Sequence, residues 1–105
     1  MHLLFLCSRN KWRSRTAETI FKDNGHHVVR SAGTARTARV RLTQSLVDWA
    51  DVIYAMEDRH RRYVLQHFEV RPTTSIEVLE IPDEYPYLNE ELIVILQGHF
   101  ADLFG

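Results

Sequence analysis

One cysteine, Cys7, stands six residues ahead of an Arg-Ser pair, Arg13-Ser14. The run between them is Ser8-Arg9-Asn10-Lys11-Trp12, and four apolar residues, Leu3 to Leu6, lead directly into it. A loop of this length can curl so that successive backbone N–H groups point inward and form a nest for an anion. A helix that follows aims its positive end at the same point. Arg13 offers a planar fork to two oxygens of a phosphate. Cys7 then lies beneath the phosphorus, with its thiolate favoured by the positive partial charges around it. The segment therefore reads as an activated nucleophile in a preorganised anion cradle. Ser8, Arg9, Asn10, Lys11, Trp12, Arg13 and Ser14 are its candidate phosphate-binding residues. A lone cysteine after a core strand is otherwise a small buried hydrophobe. The buried strand before it, the helix after it and the serine behind the arginine favour the cradle.

Such a site needs a strand before the loop and a helix after it. Leu3 to Leu6 suits a strand buried on both faces. Ser14 to Lys22 reads as a helix with Ala17, Ile20 and Phe21 on one face, ended by Asn24-Gly25. His27 to Arg30 is a second strand, followed by a small-residue turn, Ser31 to Thr34. Thr43 caps a short helix to Trp49. Asp51 to Met56, rich in Val, Ile and Tyr, is a third strand. A charged helix follows from Asp58 to Phe68, and Ile76 to Leu79 is a fourth strand. Pro82 to Tyr87 is a loop, and Asn89 caps a last helix with Glu90 and Glu91 in its first turn. Strands and helices alternate four times. That predicts an α/β fold of three layers, a four-stranded parallel sheet with helices on both faces and the phosphate-binding loop after the first strand. Ligands bind such sheets at the carboxyl ends of the strands, where Cys7 sits.

The 105 residues fit one domain, 1–105, and leave no room for two. An apolar share of 45% fits a folded chain and is too high for a disordered one. A single cysteine excludes an internal disulfide framework and a cysteine-based zinc finger. No apolar run approaches the roughly 20 residues of a membrane span. The stretch before Cys7 lacks the basic and long apolar regions of a signal peptide, so a cytoplasmic location is expected. Charge is uneven: residues 1–50 carry a net +6 and residues 51–105 a net −7. An anion site, a nucleic-acid surface or plain solvated faces would each give this. The arginines from Arg36 to Arg41 lack interleaved aromatics, so no nucleic-acid partner is expected. The six histidines show no ligand spacing, no metal or cofactor is expected, and each is read as surface or half-buried.

Leu3 to Glu18, "LLFLCSRNKWRSRTAE", closely resembles the signature of the low-molecular-weight protein tyrosine phosphatases: an apolar strand, Cys-x5-Arg-Ser, an Asn within the loop and an Ala-Glu on the helix. "RSAGT" at Arg30 to Thr34 is similar to the family's second strand and turn. "ADVIYAMEDRH" at Ala50 to His60 resembles its third strand and next helix. "IPDEY" at Ile81 to Tyr85 resembles the loop bearing its catalytic Asp. The resemblance spans most of the chain, in register, and is nearest to a short branch of predicted tyrosine phosphatases. It implies a phosphomonoester hydrolase in which Cys7 attacks phosphorus and forms a cysteinyl-phosphate. Arg13 and the loop N–H groups would hold the equatorial oxygens. Ser14 would hydrogen-bond the Cys7 sulfur, Asn10 would brace the loop, and Asp83 would act as general acid and then base. Neither a metal nor another cofactor is implied.

Several residues depart from the family pattern. Its Asp-Pro-aromatic run is here Pro82-Asp83-Glu84-Tyr85, so Glu84 competes with Asp83. Arg15 replaces the proline after the serine. Trp12 stands where many relatives carry a second cysteine, so no backup thiol can trap an oxidised Cys7. The segment between Thr34 and Asp51 is short. Trp12, Tyr85 and Tyr87 are candidates to line a slot for an aromatic phosphoester. The expected partner is a phosphorylated protein or a small phosphomonoester, met by a monomer. Two other readings stay open: a phosphate-recognising binding domain without turnover, and a phosphocarrier like the IIB proteins of sugar phosphotransferase systems, with Cys7 phosphorylated. The latter lack the loop Arg-Ser pair and the late Asp. Thioredoxin-coupled arsenate reductases share the loop but need further cysteines.

Overall fold

The computed structural model describes residues 1–104. Four parallel strands form one sheet: β1 (His2–Cys7), β2 (Val28–Gly33), β3 (Val52–Ala55) and β4 (Ser75–Val78), in the order β2-β1-β3-β4. Four helices alternate with them: α1 (Arg13–Phe21), α2 (Gln44–Trp49), α3 (Asp58–His67) and α4 (Glu90–Phe104). The α/β alternation read from the sequence is the fold observed.

The apolar run of β1 is explained by its central place. Its side chains alternate between two cores. Leu3, Phe5 and Cys7 face Ala17 and Phe21 of α1 and Leu92, Leu96 and Phe100 of α4. Leu4 and Leu6 face Val47 of α2 and Val64 of α3. Helices thus cover both faces of the sheet. The first core is aromatic: Phe5 meets Tyr54 and Phe100 at 5.3 Å between ring centroids, one stacked and one edge-on. Thr43 caps α2 by accepting the Leu46 N–H.

Beyond shifts of a residue or so at element ends, two features differ from the sequence reading. Ser31 to Gly33 are strand, not turn, because they pair in register with Phe5, Leu6 and Cys7. Small residues here serve close approach: a Cβ on Gly33 would lie 2.5 Å from the Ser8 carbonyl oxygen. The last helix is broken at Phe100, whose backbone (φ −118°, ψ 15°) is not helical. No helix among the described residues is long and apolar enough to cross a membrane.

The chain leaves β1 for β2 on one side and returns to β3 on the other. A crevice opens where the connections diverge, at the carboxyl ends of β1 and β3. Cys7 ends β1 at that crevice, and Met56-Glu57 follow β3 beside it.

Candidate active site

The loop from Cys7 to Trp12 folds over its own first residue. The Asn10 backbone N–H donates to the Cys7 sulfur at 3.2 Å, and Ser14 Oγ lies 2.9 Å from the same sulfur. Asn10 takes a positive φ of 57°, a conformation that asparagine tolerates better than most residues. Its side-chain amide donates to Ser14 Oγ at 2.7 Å and to Ser31 Oγ at 2.8 Å. Ser31 Oγ in turn donates to the Glu18 carboxylate. Ser14 Oγ therefore accepts from Asn10 and has its own proton to share between the sulfur and the Ala32 carbonyl, which is 3.3 Å away. A hydroxyl donating to sulfur stabilises a thiolate and lets it leave. Outside the loop, Arg39 donates to the Asn10 carbonyl at 3.1 Å, and its backbone N–H bonds the Arg9 carbonyl at 2.9 Å. Buried Asn10 Oδ1 has no hydrogen-bond partner among the described residues.

Arg13 opens α1 and is only 2% exposed. One terminal nitrogen donates to Glu57 Oε2 at 2.6 Å and to the Ile81 carbonyl at 2.8 Å. A buried guanidinium needs such partners, because an unpaired buried charge is costly. That anchor leaves Nε and the second terminal nitrogen as a fork. Asp83 stands 3.7 Å from Nε and is 53% exposed. This is charge proximity, too long for a hydrogen bond.

Glu57 is a site residue the sequence reading passed over. Burial pushes its carboxyl up, but hydrogen bonds from Arg13 and Arg59 outweigh that and hold it below the ordinary glutamate value. It follows the strand paired to β1, and that placement at the crevice is the signal by which it was findable. His60 was also misplaced by the reading, which put it at or near the surface. It is 1% exposed, and it bonds Ser8 Oγ at 2.9 Å through Nε2. Packing of α3 behind the loop buries it.

Cys7, Ser8, Arg9, Lys11, Trp12, Arg13, Arg59 and Asp83 line a cavity of about 450 Å³. Trp12, 44% exposed, stands at its rim. Tyr85 and Tyr87 do not line it. Tyr85 packs against the aromatic core. The Tyr87 hydroxyl bonds Thr19 Oγ1 at 2.8 Å, and its ring lies under Arg15 at 4.3 Å. Glu84 is exposed and is not among the lining residues, whereas Asp83 is. Among the described residues no three His, Cys, Asp or Glu side chains gather as a metal site.

No family model and no curated protein matches the chain. Solved structures do match. A low-molecular-weight phosphotyrosine phosphatase from Vibrio cholerae O395 superposes with a TM-score of 0.81 at 21% identity, covering 98% of this chain and 94% of its own. A YwlE mutant from Bacillus subtilis gives 0.73 at 21%, covering 100% and 99%. A YwlE arginine phosphatase, as a Cys-to-Ser mutant with a phosphorylated active-site serine, gives 0.72 at 22%, covering 98% and 95%. Superposed over nearly the full length of both chains, then, this chain has the fold of the low-molecular-weight protein tyrosine phosphatases.

Proposed function

We propose that the protein is a phosphomonoester hydrolase, tyrosine-phosphatase-like, that works through a cysteinyl-phosphate on Cys7. One observation carries the reading: the Cys7 sulfur receives the Asn10 N–H and faces the Ser14 hydroxyl at the floor of a cavity whose wall includes Arg13. The fold shared with cysteine-dependent phosphatases supports it, as does the neighbour phosphorylated at its active-site serine.

The chemistry follows from the geometry. The thiolate attacks phosphorus in line. The Arg13 fork and the loop N–H groups take the equatorial oxygens as charge spreads over them. Asp83, which lines the cavity close to Arg13, gives a proton to the departing oxygen, and the P–O bond breaks. In the second step Asp83 takes a proton from water, which displaces sulfur from phosphorus. Ser14 stabilises the thiolate that departs. Ser8, Arg9, Lys11 and Trp12 frame the mouth, and Arg59 adds a cation there. A cavity with this rim suits an acidic phosphoprotein segment or a small phosphomonoester. Residues 1–105 act as one domain in this reading, as a cytoplasmic monomer.

The test is steady-state hydrolysis of para-nitrophenyl phosphate from about pH 4.5 to 8, wild type beside Cys7→Ser. Turnover that vanishes in the mutant is the expected result. Equal rates would overturn the reading. Phosphate binding without turnover would point instead to a binding domain, and a persistent phosphocysteine to a phosphocarrier.

A further inference from the structure

His60 is a buried titratable side chain that the mechanism above does not use. It sits between the cap of α3 and the back of the loop. Its Nδ1 accepts the Glu57 backbone N–H at 3.1 Å, while Nε2 lies 2.9 Å from Ser8 Oγ. These two contacts settle the tautomer. A backbone N–H can only donate, so Nδ1 presents its lone pair and the ring proton is on Nε2. Nε2–H then donates to Ser8 Oγ. Ser8 has no need to give its own proton to His60, and Ser8 is among the residues lining the cavity that includes Cys7.

The consequence concerns direction. A serine hydroxyl can present either a proton or a lone pair. A lone pair facing a phosphoryl dianion is repulsive, and a freely turning hydroxyl must give up that freedom in order to donate. With its lone pair engaged by His60, Ser8 has a proton to offer the cavity. We propose that Ser8 Oγ–H is a further hydrogen-bond donor to the phosphoryl group, and that His60 is the positioning residue that makes it one. The proposal rests on the reading of the loop as a phosphate cradle. The charged neighbours favour a neutral ring. Arg13 from α1 and Arg59 from α3 oppose a proton on His60, and Glu57 and Asp83 favour one. Burial, aided by the two arginines, wins and pushes His60 down to about 4. Above that pH the ring can serve both contacts. A protonated ring would turn an Nδ1–H against the Glu57 N–H.

The experiment compares inorganic phosphate binding in the full chain for wild type, Ser8→Ala, His60→Asn and the double variant, by calorimetric titration near pH 6.5. Asparagine at 60 keeps an acceptor for the Glu57 N–H but cannot reach Ser8. It therefore separates orientation of Ser8 from simple capping of α3. Each single variant is expected to weaken phosphate binding about tenfold. The double variant should lose no more than Ser8→Ala alone, since His60 acts only through Ser8. Unchanged binding in Ser8→Ala or in His60→Asn, or losses that simply add, would overturn the proposal. A measurement on the wild type needs no variant to fold: long-range 1H–15N correlation should show His60 protonated on Nε2 alone from pH 5 to 8. A proton on Nδ1 would overturn it. Phosphate binding without Cys7-dependent turnover would sink the hydrolase reading while leaving this comparison of binding constants intact. Turnover with unchanged phosphate binding in both single variants would sink only the Ser8–His60 proposal. A wild type that binds no phosphate would end both.

Discussion

In the proposed mechanism Arg13 is both anchor and fork, and the two roles use different nitrogens. One terminal nitrogen is committed to Glu57 and the Ile81 carbonyl, which fixes the plane of the group. The remaining N–H groups are left for a tetrahedral oxyanion. A lysine has one nitrogen and cannot do both. Arg13→Lys should lower kcat for para-nitrophenyl phosphate by about 10²–10³-fold, in the range seen when one transition-state donor is lost. A loss under threefold would remove Arg13 from the proposed mechanism. The acid is tested by leaving group. Asp83 lines the cavity and lies near Arg13, while Glu84 is exposed beside it. Asp83→Asn should slow phenyl phosphate by about 10²-fold or more, and para-nitrophenyl phosphate much less, because a good leaving group needs no proton. Glu84→Gln should leave both rates near wild type. The reverse pattern in parallel kinetic assays would transfer the role to Glu84.

At the scale of the elements, β2 and the loop after β1 are pressed together. Gly33 pairs with Cys7 across the sheet, and its backbone N–H bonds the Val40 carbonyl at 2.8 Å. A Cβ there would meet the Ser8 carbonyl oxygen at 2.5 Å and the Ala38 Cβ at 2.7 Å. Neither is the far end of a flexible side chain, so something must move. Gly33→Ala should cost about 1–3 kcal/mol of stability, as overpacking does. It should also reduce kcat by more than the lost stability alone would cause, because the shifted backbone carries the N–H groups of the cradle. Thermal melts read beside kinetics at a temperature where the variant is fully folded would check this. Wild-type kcat in a folded Gly33→Ala would show that the loop tolerates displacement.

For the whole molecule, the buried imidazole links the site to stability. His60 falls from an ordinary value of 6.5 to about 4 in the fold, chiefly through burial. Between those limits the unfolded chain takes up a proton that the native state refuses. Unfolding free energy should therefore fall as pH drops from 6.5 toward 4, by up to about 3 kcal/mol from this group, and level off below. Glu57, held low by Arg13 and Arg59, adds a loss of the same sign at still lower pH. His27 is also lowered, first by burial and then by the amino terminus and His26, and slopes the same way. Only the His60 share should disappear in His60→Asn. Urea denaturation at pH 7, 5.5 and 4.5 would read the difference, and identical slopes in the two proteins would refute it.

The residues legible from the sequence are those whose meeting is local. Cys7, Asn10, Arg13 and Ser14 lie within eight positions, between a strand and a helix whose periods are written in their apolar residues. Chain geometry keeps them within reach of one point, before any distant residue takes part. The alternation of strands and helices was legible for the same reason, down to the small residues of 31–33, whose pairing with β1 was not. What the tertiary structure decided is non-local. Adjacency of β1 and β3 carries Glu57 to Arg13 across 44 positions and His60 to Ser8 across 52. Both could equally have been solvated residues, one at the start of a charged helix and one on it. Tyr85 and Tyr87 had the right chemistry for the cavity, yet one packs against the aromatic core and the other turns to Thr19 and Arg15. Spacing fixes which groups of one loop can converge. Which distant side chains complete that loop depends on strand order and on burial shared across the whole sheet, and no short stretch of sequence contains either.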